Sequence, residues 1–252
     1  YIVFRFILLI YFSIMNLGDH MTYNEVMKQL ESLGTEQNRK IYLNHGNDLD
    51  MFGVSIANLK VILKSIKNDP LLGMKLLKSG NSDAIYLSQW VVDSNKLTIN
   101  VLESIIEQTN FYMILDNTIP NIAIRSKPLA WQCIDSWIDH KNPRYRQTAY
   151  SLYALILGSY PNEEINEEDV LQKLHHIEKV IHDEENRVKY SMNGFVISAG
   201  IYFPSLTEVS YNIGERIGKV KVYMGKTSCK VPFIPEYINK VKSMGRIGIK
   251  RN

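Results

Sequence analysis

An aromatic residue and a carboxylate stand four residues apart in the segment NFYMILDNTIP, residues 110–120. The segment is predicted to be helical, so Tyr112 and Asp116 would share one helix face, one turn apart. A carboxylate beside an aromatic ring can stabilise a developing positive charge and orient a water molecule. A sugar that loses its base passes through such an oxocarbenium-like state. Alternatively, Asp116 is an ordinary polar residue that closes a helix over Tyr112, and spacing alone favours this second interpretation.

Motifs of other catalytic classes are absent from the sequence. It contains no glycine-rich phosphate loop, no GxGxxG and no GxSxG. Cys133 lies in the amphipathic stretch LAWQCIDSW and is predicted to be a packed small side chain. His175, His176 and His182 could share a helix face with Glu178, but HHxxxxxH is not a usual ligand spacing. We therefore expect a solvated helix face there and no metal site.

Positive charge is concentrated at the C-terminal end of the chain. The net charge is +3 over 252 residues, yet residues 216–252 carry ten Lys or Arg and one acid, Glu236, a net +9. The preceding residues therefore carry a net −6. A local field of this kind favours a polyanion, either nucleic acid or an anionic membrane. A solvated tail that only keeps the protein in solution is the alternative.

Composition indicates a chain that can bury a large core, since 45% of its residues are hydrophobic. The two cysteines, Cys133 and Cys229, provide neither a disulfide framework nor a zinc spacing, which fits a reducing, cytoplasmic setting. Residues 1–15 are almost entirely apolar, but the run is shorter than the about 20 residues of a membrane span and lacks the features of a signal peptide. We expect residues 1–20 to be an extension outside the fold, with a membrane anchor as the alternative.

Almost every segment after Met21 has the apolar periodicity of a helix. Breaks are predicted at Asp69-Pro70, Ser79-Gly80, Asn142-Pro143 and Tyr160-Pro161. Only KVKVYM, residues 219–224, has the alternation of a strand. The periodic segments are EVMKQLESL, ANLKVILKSI, LLGMKLLKS, AIYLSQWVV, VLESIIEQ, LAWQCIDSWI, TAYSLYALIL, VLQKLHHIEKVI and YSMNGFVIS.

Four helix starts resemble one another, each with an Asn, Ser or Thr before a mixed polar and aromatic face. They are SGNSDAIYLSQW, TNFYMILDN, HKNPRYRQTAYSL and EENRVKYSMNGF. Their interval of roughly 30–45 residues is typical of a helical-hairpin solenoid, and an irregular all-α domain is the alternative. Helix N-termini suit phosphates, so the nearby cations form a predicted phosphate track of Lys141, Arg144, Arg146, Arg187 and Lys189.

The chain resembles the HEAT-like repeat DNA glycosylases of the AlkD type, from about Met21 to its C-terminus. The resemblance rests on residues 52–69, 71–93, 110–120 and 142–152, and residues 221–252 resemble the tail of one subgroup. It implies an all-α HEAT-like repeat solenoid, an α-α superhelix with a concave surface facing duplex DNA. It also implies excision of cationic alkylated purines, such as 3-methyladenine or 7-methylguanine, with no metal and no cofactor.

The resemblance assigns roles to four residues. Asp116 falls on the catalytic aspartate, Tyr112 and Phe195 fall on two tryptophans that hold the damaged nucleotide, and Gln147 replaces an arginine that grips the DNA backbone. Arg146 is adjacent to Gln147, but one helix step turns it by about 100°. The helix in TEQNRKIYLNHG ends early, at Gly46. In active relatives the corresponding helix enters the DNA minor groove. The alternative is therefore a DNA- or protein-binding scaffold with weak or no glycosylase activity.

These patterns divide the chain into an extension (1–20), a repeat domain (21–215) and a basic tail or last repeat (216–252). We expect a monomer that binds double-stranded DNA through backbone contacts in the bacterial cytoplasm, associated with the nucleoid and not with a membrane. Besides the phosphate track, the tail supplies six predicted DNA contacts, Lys230, Lys240, Lys242, Arg246, Lys250 and Arg251.

Overall fold

Helices account for all the regular structure in the computed structural model, which describes residues 21–66 and 69–251. The expectations for residues 1–20 lie outside this part of the chain. The prediction of an all-α protein is confirmed, since the described ranges contain no strand and only two isolated bridges, between Gly34 and Val54 and between Asp50 and Asn81. No helix in these ranges is both long enough and apolar enough to cross a membrane.

The α-helices of the described residues are numbered in chain order. They are α1 (Tyr23–Leu33), α2 (Glu36–Asn44), α3 (Ile56–Ser65), α4 (Pro70–Leu77), α5 (Ser82–Ser88), α6 (Ile99–Ile106), α7 (Ile119–Ala123), α8 (Lys127–Trp137), α9 (Pro143–Ser159), α10 (Glu167–Val180), α11 (Asn186–Tyr202), α12 (Thr207–Ile217) and α13 (Ile234–Ser243). A π-helix, Met113–Thr118, runs directly into α7.

Local sequence explains where the helices begin and end. Asp69, Asn81 and Asn142 are N-cap residues whose side chains accept hydrogen bonds from backbone N–H groups in the first turns of α4, α5 and α9. The predicted breaks at Asp69-Pro70, Ser79-Gly80, Asn142-Pro143 and Tyr160-Pro161 all coincide with helix boundaries. Gly46, with φ of 83°, follows the end of α2 and confirms that this helix is short.

The helices pack in two layers. In one layer α5, the π-helix with α7, α9, α11 and α13 contact one another in chain order, and α9 against α11 is the most extensive pairing. In the other layer α6 contacts α8, and α10 contacts α12. Short connections join the layers, as between α8 and α9 or α10 and α11. This arrangement of stacked helical pairs places the N-terminal ends of α9 and α11 beside the π-helix that carries Asp116.

Pro120 gives a physical reason for the π-helix. In an α-helix, the carbonyl of Asp116 would accept a hydrogen bond from residue 120, but proline has no N–H and its ring clashes with that carbonyl. The wider register avoids this conflict, as the N–H of Ile119 donates to the carbonyl of Ile114, five residues earlier. Such π segments are frequent at functional sites. Asp116 therefore lies in a helical segment, as predicted, but not in an ideal α-helix.

A connecting segment, residues 218–233, links α12 to α13 and has no regular secondary structure. The strand predicted for residues 219–224 is therefore wrong. A strand needs a partner for its backbone hydrogen bonds, and here a side chain takes that role, since Asn186 bonds the backbone N–H and C=O of Tyr223. Beyond the segment, Ile234 and Ile238 of α13 are buried in the main core, so the helical packing continues past residue 216.

Candidate functional site

Asp116 is surrounded by hydrogen-bond donors from the next two helices of its layer. Its Oδ2 lies 2.5 Å from Nη2 of Arg187 on α11, and its Oδ1 accepts a hydrogen bond of 2.7 Å from Nε2 of Gln147 on α9. The Oγ of Ser151 is 3.4 Å from the same Oδ1. The Asp116 side chain is only 8% exposed. Burial raises the pKa of this carboxyl, while Arg187, Gln147 and Ser151 act in the opposite direction.

Arg187 is held between two tyrosine rings. Its guanidinium carbon is 4.2 Å from the ring centroid of Tyr112 and 4.5 Å from that of Tyr190. Planar stacking of this kind suits a guanidinium, which is weakly hydrated and keeps its charge. The hydroxyl of Tyr112 is in turn 2.6 Å from Nδ1 of His45, at the end of α2. A connected set of polar and aromatic side chains therefore links α2, the π-helix, α9 and α11.

Two adjoining cavities open beside this set. The site cavity, about 480 Å³, is lined by Tyr112, Asp116, Ser151, Arg187 and Tyr190. The second cavity, about 440 Å³, lies between the end of α2 and the connecting segment, and shares Tyr112 and Arg187 with the first. Both volumes fall within the range of about 300–1,000 Å³ that is usual for small-molecule sites. Tyr112 and Asp116, which are predicted to share one helix face, both line the site cavity.

Phe195 does not line the site, contrary to its predicted role as an aromatic wall. Its side chain is fully buried, with its ring centroid 5.8 Å from that of Tyr150 and 5.1 Å from that of Tyr153. It fills the core beneath α9 and α11, so it cannot contact a nucleotide without a rearrangement of that core. Tyr190, five residues earlier on α11, supplies the aromatic surface that the sequence assigned to Phe195.

Gln147 is also directed inward. It is only 4% exposed and its amide donates to Asp116, so it holds the carboxylate and does not face solvent. The adjacent Arg146 does not replace the missing cation, because its guanidinium binds Glu184 at 2.6 Å and the backbone carbonyls of His140 and Lys141. These two residues therefore stabilise the contact between α9 and its neighbours.

Several members of the predicted phosphate track are already paired with carboxylates. Arg144 bonds Glu107 at 2.7 Å, Arg146 bonds Glu184, and Arg187 bonds Asp116. Lys141 is exposed and Lys189 is partly exposed, and no carboxylate of the described residues forms an ion pair with either. As arranged here, Lys141 and Lys189 are the track residues available to bind phosphate.

The tail cations fall into two groups. Lys230, Lys240, Lys242 and Arg246 are exposed. Lys250 is partly buried, donates to the carbonyl of Leu157 at 2.6 Å, and its pKa is lowered by burial. The Nε of Arg251 donates to the hydroxyl of Tyr202 at 2.8 Å, and its backbone N–H donates to the carbonyl of Gly158. The last two cations therefore attach the chain end to α9 and α11.

The remaining candidates have structural environments. Cys133 is fully buried in the core, as predicted. His182 bonds the carbonyl of Ile217, and Glu178 forms an ion pair with Arg216, so these side chains connect α10 with α12. In residues 21–66 and 69–251 no group of three or more His, Cys, Asp or Glu is placed to hold a metal ion.

Comparison with known proteins gives consistent results. Residues 26–208 match the family described as DNA alkylation repair enzyme. Uncharacterized proteins of Listeria innocua and Listeria monocytogenes are each 30% identical over 229 residues, which cover 88% of this chain and 98% of each relative.

A solved structure agrees with these matches. Its protein belongs to what is described as a new family of proteins related to the HEAT-like repeat DNA glycosylases, with affinity for branched DNA structures. It superimposes with a TM-score of 0.83 at 28% identity and covers 92% of this chain and 98% of its own. The predicted HEAT-like repeat fold and the resemblance to AlkD-type proteins are therefore confirmed. This chain belongs to the DNA alkylation repair enzyme family.

Proposed function

We propose that this protein binds DNA with a preference for branched structures, and that it excises alkylated purines slowly or not at all. The observation that carries the proposal is the ion pair between Asp116 and Arg187, with Gln147 on the other carboxylate oxygen. The site thus presents a neutralised carboxylate at the position that the resemblance assigns to the catalytic aspartate.

The Asp116–Arg187 ion pair cancels the negative charge that catalysis of base loss would use. A carboxylate lowers the barrier to base loss by attracting the positive charge that develops on the sugar. A guanidinium at 2.5 Å from Asp116 supplies an equal positive charge in the same place, so the pair has little net attraction for a second cation. Three donors also contact the two oxygens of Asp116, so about one of the roughly four lone-pair positions of the carboxylate is left to orient a water molecule. The geometry therefore supports binding better than catalysis.

Binding is supported by charge and by similarity. The exposed cations Lys230, Lys240, Lys242 and Arg246 lie in a region of net +9, and phosphate contacts of this type carry little sequence information. A preference for shape over sequence is consistent with the affinity for branched DNA that is described for the similar solved structure. We infer the same substrate class for this chain.

Fluorescence anisotropy with three labelled DNAs of equal length tests the binding proposal. We expect a four-way junction and a forked duplex to bind more tightly than the linear duplex, in the same buffer. Salt must be fixed in this comparison because phosphate contacts make every affinity depend on it. Equal affinity for all three DNAs would remove the preference for branches, and no binding at physiological salt would refute the proposal.

Excision of cationic alkylated purines is the second candidate. Asp116 and Tyr112 line the same cavity, and a DNA phosphate could draw Arg187 away from Asp116. Release of methylated purines from alkylated duplex DNA tests this, with wild type compared to Asp116→Asn. If excision occurs, the asparagine variant should be slower by about 10²–10³, typical for loss of a preorganised electrostatic contact, while it still binds DNA. Under our leading proposal, both proteins release purines at or close to the uncatalysed rate.

A further inference from the structure

We propose that the second cavity, between the end of α2 and the connecting segment, binds one unpaired nucleobase, which stacks on Tyr223. The inference rests on the proposed binding of branched DNA and adds a site for the unpaired nucleotides at a branch. None of the predicted site residues except Tyr112 and Arg187 belongs to this cavity, and Tyr223 was not among them.

Tyr223 is an aromatic side chain displayed to solvent by a fixed backbone. Its side chain is 72% exposed, the most exposed aromatic side chain in the described ranges. The backbone around it is held by Asn186, whose Oδ1 accepts from the N–H of Tyr223 at 2.6 Å and whose Nδ2 donates to its carbonyl at 2.8 Å. Asn186 is the first residue of α11, next to Arg187. A ring held in this way loses little freedom when a planar ligand stacks on it.

The two valines before Tyr223 determine which side of the connecting segment faces solvent. Val220 is buried, and Val222 packs against the core, so the segment is anchored on one side. Tyr223 follows them on the exposed side. Because alternate residues of an extended chain point to opposite faces, anchoring the valines directs Tyr223 outward. This arrangement buries the aliphatic residues and leaves the largest apolar side chain of the segment in water.

A close approach of two chain segments forms the cavity. A Cβ at Gly225 would overlap the carbonyl oxygen of Asn44, and Gly225 has φ of 69°, so both space and conformation require glycine here. This contact brings the connecting segment against the end of α2, where Leu43 is 55% exposed. Leu43 and Tyr223 line the cavity from these two segments. Two exposed apolar side chains therefore border one concave space.

The chemistry of the lining fits a nucleotide. Lys226 lines the same cavity and can meet a phosphate, and the side-chain amide of Asn44, which also lines it, can pair with a base edge. Proteins that bind single strands combine aromatic platforms with basic grooves, because every base has a π-face. The connecting segment supplies both features, an aromatic ring and the exposed Lys219, Lys221, Lys226 and Lys230.

The test measures binding of a forked duplex with unpaired nucleotides at the branch, and of the fully paired duplex, by wild type and by Tyr223→Ala. We expect the alanine variant to bind the fork roughly 5- to 150-fold more weakly, the range for loss of one base–aromatic stack. Its affinity for the paired duplex should be unchanged. Tyr223→Phe should bind the fork like wild type, because the ring face is retained. Leu71→Ala, at an apolar side chain on α4 that is 77% exposed, is the matched control and should also bind like wild type.

A second arm replaces the unpaired nucleotides with abasic residues. Wild type should then lose as much affinity as Tyr223→Ala does with intact bases, and the alanine variant should lose nothing further. Additive losses, or equal losses on fork and duplex, would overturn the base site while leaving DNA binding intact. If wild type binds no branched DNA, the proposed function itself fails, and this inference fails with it.

Discussion

The side chains of Asp116 and Arg187 form a largely buried ion pair, in which they are 8% and 18% exposed. Taking two charges out of water is costly, and their attraction offsets that cost only while both are present. The tyrosine rings of Tyr112 and Tyr190 exclude water from the guanidinium and add cation–π attraction. The ion pair is therefore an internal contact that joins the π-helix to α11.

A double-mutant cycle measures this contact. Asp116→Asn or Arg187→Gln alone should lower the free energy of unfolding by about 3–5 kcal/mol, because each leaves one buried charge without its partner. The double variant should lose less than the sum of the two. Urea unfolding followed by circular dichroism gives the values. Glu164→Gln, which breaks the more exposed pair with Lys127, is the control and should cost about 0–1 kcal/mol. Additive losses would mean that the two side chains do not interact in solution.

Sequence spacing could identify Asp116 and Tyr112 but not their environment. The partner of Asp116 lies 71 residues later in the chain, and only the packing of α11 on α9 brings Arg187 beside it. Likewise, the resemblance places Phe195 at an aromatic position of the site, but the rotation of α11 about its axis decides which residues face the cavity. That rotation places Tyr190 in the site and Phe195 in the core.

Between helices, polar side chains hold irregular segments in place, and Asp83 is the clearest case. Its carboxylate, in the first turn of α5, accepts hydrogen bonds from the backbone N–H groups of Phe52 at 2.7 Å and of Gly53 and Val54 at 3.0 Å. The hydroxyl of Tyr42 on α2 donates to the carbonyl of Val54 at 2.7 Å, so Asp83 helps to position α2 and with it the second cavity. Asp83 is buried, with 3% of its surface exposed.

Replacement of Asp83 by alanine should therefore weaken the N-terminal half. It leaves three backbone donors without an acceptor, and each buried unsatisfied group costs about 1–3 kcal/mol, so we expect a loss of at least about 3 kcal/mol. Thermal unfolding measures the change. Asp50→Ala, at an exposed carboxylate in the same region, should leave the midpoint within about 1 °C. A wild-type midpoint for Asp83→Ala would show that water replaces the carboxylate at little cost.

Helices were predictable because their signals are local. Caps such as Asn81 and Asn142 and the prolines that follow helix breaks act within four residues, and they appear where the sequence placed them. The alternating valines and lysines of residues 219–224 also give a local signal, but a strand depends on a partner that this fold does not provide. Asn186, which resembles a cap in the sequence, instead binds the backbone of Tyr223.

Across the whole molecule, the distribution of free charge determines how DNA can be bound. Arg144, Arg146 and Arg187 have carboxylate partners. Residues 219–246 instead cluster seven exposed cations, none in an ion pair with a described carboxylate, around a single acid, Glu236. The folded chain therefore presents its positive charge through the connecting segment and α13, more than through the starts of α9 and α11. A phosphate that binds here releases counterions without breaking an internal ion pair.

Salt dependence of DNA binding distinguishes these two sets of cations. Lys240→Gln with Lys242→Gln should lower the slope of log affinity against log salt by about one unit for each lost phosphate contact. Arg146→Gln should leave the slope unchanged and should instead reduce stability, because Arg146 is only 18% exposed and binds Glu184. Lys28→Gln with Lys60→Gln, at exposed positions on α1 and α3, is the matched control for total charge and should not alter the slope. A reduced slope for Arg146→Gln would mean that its ion pair opens on DNA, and the phosphate track predicted at the start of α9 would then be correct.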